Sequence, residues 1–268
     1  MTALLTRTVI CLFIVCLQAA AQNGPKITVV TKTIDPIRAQ KTLYPWKKYI
    51  TATVFWIGER PTSNNPTPNN KSSWDQKWME NYGGYDNPDP GARNGYIPAA
   101  FTPKQNPFYI ALPYNDCLNH AHHKPEAARV IPWWQRHDPD PGDTVCKGRW
   151  VQIYSSETTK ICYAQWEDCG PWVTDDWEYV FGQKLPKNTM NKGAGIDISP
   201  AVRDFLQIGN RATVHWRFTE FSRVPSQGPW AKWGDNNPFV NKALNPDVAE
   251  RARYFQLLRE GRISAPRK

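Results

Sequence analysis

Two aspartates carry the chemistry this chain offers most plainly. Asp168 lies in the run Glu167-Asp168-Cys169-Gly170-Pro171-Trp172, and Asp197 in Gly195-Ile196-Asp197-Ile198-Ser199-Pro200. Each stands where a strand ends or a helix begins. Two carboxyls on rigid element ends are a common way to build acid and base catalysis on sugars: one protonates the bridging oxygen, the other takes a proton or stabilises charge. Plainer roles compete with this one. Asp197 would cap the helix that Pro200 helps to start, and Asp168 would be a turn residue before Gly170-Pro171.

The elements that must position these acids lie around them, between Thr144 and Phe221. Residues 150–154 and 160–166 are β-type runs. A turn over residues 168–171 follows. Beyond Ser199 an amphipathic helix carries Val202, Phe205 and Leu206 on its apolar face, and Arg211–Phe218 closes the unit as a third strand. Upstream, residues 51–59 alternate small or polar with large apolar side chains, which is a strand pattern. Residues 108–112, bracketed by Pro107 and Pro113, form a shorter one. Residues 60–73 are rich in Pro, Asn and Ser and read as a surface loop. Trp74 and Trp78 share one face of a short helix stopped by Gly83-Gly84. That helix either packs on the barrel mouth or walls a groove.

In order and spacing these features resemble the double-psi β-barrel group: expansins, family-45 endoglucanases, rare lipoprotein A and the lytic transglycosylase A barrel. Asp168-Cys169-Gly170-Pro171-Trp172 is similar to the Asp-Arg-Gly-Pro-Phe turn of rare lipoprotein A. Ile196-Asp197-Ile198-Ser199 is similar to its Ile-Asp-Leu-Ser and to the His-Phe-Asp-Leu-Ser of expansins. The resemblance spans roughly residues 48–221. It implies a mainly β fold: a six-stranded double-psi β-barrel with long loop elaborations and a few short helices. It also implies that Asp197 is a general acid, with Asp168 as the neighbouring carboxylate that orients substrate or holds the proton. The substrate class it implies is a β-1,4-linked cell-wall polysaccharide, peptidoglycan or cellulose-like. The expected groove residues are Thr53, Trp56, Tyr82, Tyr85, Asp86, Tyr109, Asp116 and Trp172. Asp116 would otherwise cap its own loop.

Two positions depart from those families. Ile57 stands where family-45 endoglucanases carry a base, after Phe55-Trp56. Tyr109 stands where rare lipoprotein A carries a catalytic His, beside Ile110-Ala111-Leu112-Pro113. A hydrolytic route would therefore draw its base from Glu59, Asp75 or Asp86. A lytic route would use the sugar's own 6-hydroxyl as nucleophile. The alternative is a non-catalytic, expansin-like protein that binds glycan and loosens walls.

Composition sets the surroundings. Residues 1–21 read as a secretory signal, with Arg7 in the charged region, residues 9–17 apolar, and Ala19-Ala20-Ala21 at the cleavage site. The apolar run is short of the ~20 residues a membrane span needs. The expected protein is secreted or periplasmic, without a membrane span, and monomeric. The formal charge is +9, and losing Arg7 with the signal lowers it by one. A basic balance suits an anionic polymer or surface, or plain solubility. No zinc-finger spacing, RNP motif or basic heptad region points to nucleic acid.

Cys117, Cys146, Cys162 and Cys169 remain after the signal, and export favours two disulfides among three possible pairings. No cofactor and no metal are expected, although Cys117 shares its stretch with His120, His122 and His123. The 13 tryptophans serve either to staple loops or to stack on sugar rings. The domain expected from residue 22 to residue 224 is followed by a basic extension, 225–268. Its helix begins at Asn245, with Val248, Ala252, Phe255 and Leu258 apolar, and it either docks on the barrel or forms an arm for an anionic surface.

Overall fold

The computed structural model describes residues 44–261, apart from 63–64, 135–138, 247, 249–251, 253–254 and 257–258. The expected signal segment lies outside the described residues. Among the described residues ten strands are present: β1 (Lys47–Val54), β2 (Arg93–Asn94), β3 (Ile97–Pro98), β4 (Tyr109–Leu112), β5 (Cys117–Asn119), β6 (His122–His123), β7 (Arg149–Tyr154), β8 (Ile161–Cys169), β9 (Ala194–Ile198) and β10 (Arg211–Phe218). Among the described residues four short helices with full ranges accompany them: α1 (Trp78–Tyr82), α2 (Ala127–Val130), α3 (Trp177–Val180) and α4 (Pro200–Leu206).

Six strands close into a barrel in the order β1-β10-β7-β8-β4-β9. The pairs β1·β9 and β4·β8 are parallel and the other four antiparallel. Closure follows from the alternation in the sequence. Ile50 and Ala52, Ile110 and Leu112, Val151 and Ile153, Cys162, Ala164 and Trp166, Ile196 and Ile198, and Val214 and Trp216 are all buried in one cluster. They recur at every second position, so one face of every barrel strand is apolar. Burying each large aliphatic side chain contributes about 1.5–3 kcal/mol.

A second, smaller cluster lies against the other face of β1's end and β4. It joins Phe55, Ile57, Trp78, Tyr82, Tyr109 and Ala111. Helix α1 supplies Trp78 and Tyr82 to it and stops at Gly83, whose left-handed φ of 107° suits a residue without a side chain. The tryptophan pair is thus split, with Trp78 in the helix and Trp74 ahead of it.

The first strand ends at Val54, earlier than the alternation through Glu59 suggests. At Gly58 the chain turns with φ 84°, and Glu59 N–H donates to the Trp56 carbonyl at 3.0 Å. Alternation continues past the strand because Phe55 and Ile57 enter the second cluster. Strand β8 runs on to Cys169, so Asp168 belongs to the strand and not to the turn after it.

Packing on the barrel continues past residue 224, as the docked form of the extension requires. Trp230 is 5% exposed and belongs to the barrel's own core cluster. Asn237 is fully buried and its side-chain amide donates to the Trp230 and Trp233 carbonyls, both at 2.8 Å. Asn236 and Asn106 join this segment to β4's approach. Farther on, Pro246, Val248, Ala252, Phe255, Gln256 and Arg259 are helical, and the last five are exposed. Asn245 and Glu260, at the ends of the expected helix, are not helical, and its remaining residues lie outside the described residues. No helix among the described residues is long and apolar enough to cross a membrane.

Candidate active site

Four side chains stand in one row across four neighbouring strands. Thr53 on β1 is opposite Asp197 on β9, Asp197 is opposite Ala111 on β4, and Ala111 is opposite Asp168 on β8. Directly paired residues project to the same face of a sheet. The two acids therefore flank a single methyl group, on the outer face of the barrel wall. Two strand spacings separate their Cα atoms by about 10 Å.

A bulge makes this row. Ile110 pairs with Trp166, yet the next residue, Ala111, pairs with Asp168. Glu167 is the extra residue. Bulges re-aim side chains in this way. Unbroken register would set Glu167, not Asp168, opposite Ala111.

The row floors a cavity of about 630 Å³. Its walls are the loop carrying Glu59, Asn69, Lys71 and Ser73 on one side, and Gly170, Pro171, Trp172 and Thr174 on the other. The loop is clipped at its base by Gly58 N–H to the Asn69 carbonyl at 2.7 Å, and by Asn69 N–H to the Glu59 carbonyl at 3.0 Å. Gly170 brings bare backbone against the acids. A Cβ there would lie 3.6 Å from Asp197 Oδ2, and its φ of 153° disfavours any L side chain.

The electrostatics separate the three carboxyls of this cavity. Burial pushes Asp197 up to about 7, and the negative charges of Asp168 and Glu59 add to it, against the Thr53 hydroxyl that donates to Oδ1. Burial pushes Asp168 up to about 6, although its Oδ1 accepts from the Ser73 and Cys169 N–H groups, each at 2.8 Å. Burial also raises Glu59, opposed by the side chains of Asn65 and Asn69. Carboxyls that repel one another in a partly dry site hold a proton near neutrality. Between Asp197 and Asp168 the proton resides preferentially on Asp197, and Asp168 ionises before it.

The competing plain roles are answered by geometry. Ser199, not Asp197, caps α4: its side chain accepts from Val202 N–H at 3.3 Å. Asp168 does organise local backbone, through Ser73 and Cys169, while still lining the cavity.

Of the expected groove residues, Thr53 and Trp172 line the cavity. Trp172 is 39% exposed and is the one exposed tryptophan of the thirteen. Stapling, not sugar stacking, therefore accounts for most of the tryptophan content. Trp56 is half-buried and Tyr85 exposed, and neither lines the cavity.

Tyr82, Asp86, Tyr109 and Asp116 are corrected. All four are buried, at 0–1% exposure. Asp86 pairs with Arg93 Nη1 at 2.6 Å and accepts from Tyr109 Oη at 2.7 Å, and Tyr109 Oη accepts from Ile57 N–H at 3.0 Å. This network fastens β4 to the end of β1 and faces no solvent. Asp116 holds a loop, accepting from Thr144 Oγ1 at 2.6 Å and Val145 N–H at 2.7 Å. Asp75 binds Asn81 and Gln105 and does not reach the cavity. Of the three bases weighed for hydrolysis, Glu59 alone lines it.

Cys117, Cys146, Cys162 and Cys169 are free in this structure, with no disulfide between any two of them. Cys162 is sealed inside the barrel, where its thiol meets the Tyr163 carbonyl at 3.7 Å. Burial pushes the Cys146 thiol far up, and the nearby Asp116 carboxylate adds to the rise. Sequence reasoning passed over Ala111, whose small side chain opens the floor, and Glu167, a buried acid that burial pushes up to about 7. A small residue one step from Leu112-Pro113 is the only signal for the former, and the latter has none. No protein-family model and no curated protein matches the chain.

Proposed function

We propose that this protein is exported and acts on a β-1,4-linked cell-wall polysaccharide, peptidoglycan or cellulose-like, at the Asp197–Asp168 row. The observation that carries the reading is that both acids line one open cavity across Ala111. The barrel supports the double-psi assignment through its two parallel contacts, β1·β9 and β4·β8. Asp197 is the general acid, protonating the glycosidic oxygen. Its raised pKa keeps that proton available near neutral pH. Asp168, ionised first, steadies the positive charge that develops on the sugar ring. The backbone spacing of the two acids favours the wide carboxylate arrangement, which leaves room for a nucleophile between them. That nucleophile is either a water activated by Glu59 or the sugar's own 6-hydroxyl.

The test is incubation of the protein with peptidoglycan sacculi and with cellulose, followed by mass spectrometry. Hydrolysis gives reducing ends, and lytic cleavage gives 1,6-anhydro ends. Asp197→Asn is expected to reduce product at least ~100-fold. The rate is expected to fall on both sides of a window between about pH 6 and pH 7, where Asp168 is ionised and Asp197 protonated. No product from the wild type on either polymer counts against cleavage. Co-sedimentation with polysaccharide without released sugar would instead favour a wall-loosening binder, a reading motivated by Ile57 and Tyr109 at the family's base and His positions. Failure to bind any glycan removes both.

A further inference from the structure

We propose that Asp116, Cys117 and His123 form a binding site for a divalent transition-metal ion of zinc's class. Their ligand atoms, one oxygen, one sulfur and one nitrogen, lie within 4.8 Å of one another. Ligands at zinc's ~2.0–2.3 Å bond lengths stand roughly 3.5 Å apart. Side-chain rotation on a short ribbon closes that difference. Cys117 on β5 and His123 on β6 are cross-strand partners, and Asp116 directly precedes β5. The mixed donor set suits a borderline ion such as zinc or cobalt and leaves a fourth position for water.

The surroundings already orient each ligand. His123 Nε2 lies 2.7 Å from the Asp143 carbonyl. A carbonyl only accepts, so Nε2 carries the proton and Nδ1 holds the free lone pair, the arrangement typical of a metal-bound imidazole. The Asp116 carboxylate is held by Thr144 and Val145, which use two of its lone pairs and leave others free. The Cys117 thiol lies 3.3 Å from the Gly142 carbonyl. All these anchors come from one loop, 142–145. It lies so close to the ribbon that a Cβ on Gly142 would sit 2.1 Å from the His120 carbonyl oxygen. An ion here would fasten the β5–β6 ribbon to that loop. Binding replaces the S–H bond of Cys117 by a metal–sulfur bond and releases one proton to solvent. The site does not touch the Asp197–Asp168 cavity, so its test is independent of that function.

The experiment is titration of the chelator-treated full chain with Co²⁺, read by absorption, followed by competition with Zn²⁺. One equivalent of Co²⁺ is expected to give intense tetrahedral d–d bands and a sulfur-to-cobalt charge-transfer band, all displaced by Zn²⁺. Cys117→Ser should abolish the charge-transfer band. His123→Ala should weaken binding more than the roughly 10–100-fold that loss of an outer-shell partner costs, and Thr144→Ala should weaken it within that range. The proposal is overturned if wild-type protein shows no thiolate band. It also fails if Cys117→Ser and His123→Ala bind as the wild type does, or if peptide mapping recovers Cys117 in a disulfide. The wild-type spectrum decides even if a variant fails to fold.

Discussion

Asp197 holds its proton at a cost to the fold, and the sign of that cost is calculable. Its carboxyl titrates near 3.8 in the unfolded chain and at about 7 in the folded one. Between those values the folded state binds more protons than the unfolded state. Stability therefore falls as pH rises from about 4 to about 7, and is flat above. Asn at this position is isosteric and never ionises. We expect Asp197→Asn to match the wild type in urea denaturation at pH 4, and to exceed it at pH 8 by up to ~4 kcal/mol, about three pKa units at ~1.4 kcal/mol each. Equal stabilities at both pH values would mean that the Asp197 carboxylate is well solvated and no poised acid. The same substitution is expected to remove activity. Stability and activity moving in opposite directions is the signature that separates a functional acid from a structural one.

The strand-and-helix scale explains both what the sequence made legible and what it hid. Arg211–Phe218, the helix after Ser199 and the strands around residues 150 and 162 could be read because one face of each must be apolar. The bulge could not. Glu167 and Asp168 are both acids, so no polarity pattern says which of them meets Ala111; the pairing with β4 decides. Tyr82, Asp86 and Tyr109 misled for a related reason. Polar groups near a barrel mouth suggest a groove, but Arg93 on β2 reaches back to neutralise Asp86 and turns the group into a buried network. Burial raises the pKa of Asp86 and the Arg93 charge opposes the rise. Removing the cation leaves that carboxyl unpaired. Arg93→Met is expected to cost about 3–5 kcal/mol, the usual penalty for breaking a buried ion pair from one side. Chemical denaturation at pH 7 measures it. If Asp86 served substrate instead, the variant would keep its stability and lose glycan affinity.

At the scale of the whole molecule, the question is where the folding unit ends. The family resemblance stops near residue 221, yet packing continues past it. Trp230 meets Phe108, Tyr163 and Phe205, with ring centroids 6.2, 4.9 and 5.3 Å away. Its indole N–H donates to the Pro225 carbonyl at 2.8 Å. Gln165, from β8, donates to the Asn236 carbonyl at 3.0 Å. Segment 225–244 thus closes the side of the barrel behind β8, the strand that carries Asp168. The sequence could not show this, because the segment's Gly, Pro and Asn residues give no periodicity; only the partners they meet reveal their burial. A chain ending at residue 224 exposes Phe108 and Phe205 and loses the Trp230 contacts. Truncating a buried Trp to Ala alone costs about 3–5 kcal/mol, much of a typical domain's 5–15 kcal/mol. A chain ending at residue 246 keeps all of these contacts and loses Val248, Ala252, Phe255, Gln256 and Arg259, which are exposed. Calorimetry of the two truncations is expected to show a cooperative transition within a few degrees of full length for the 246 end, and none for the 224 end. A 224-residue chain that melts like the full protein would return the boundary to where the resemblance ends.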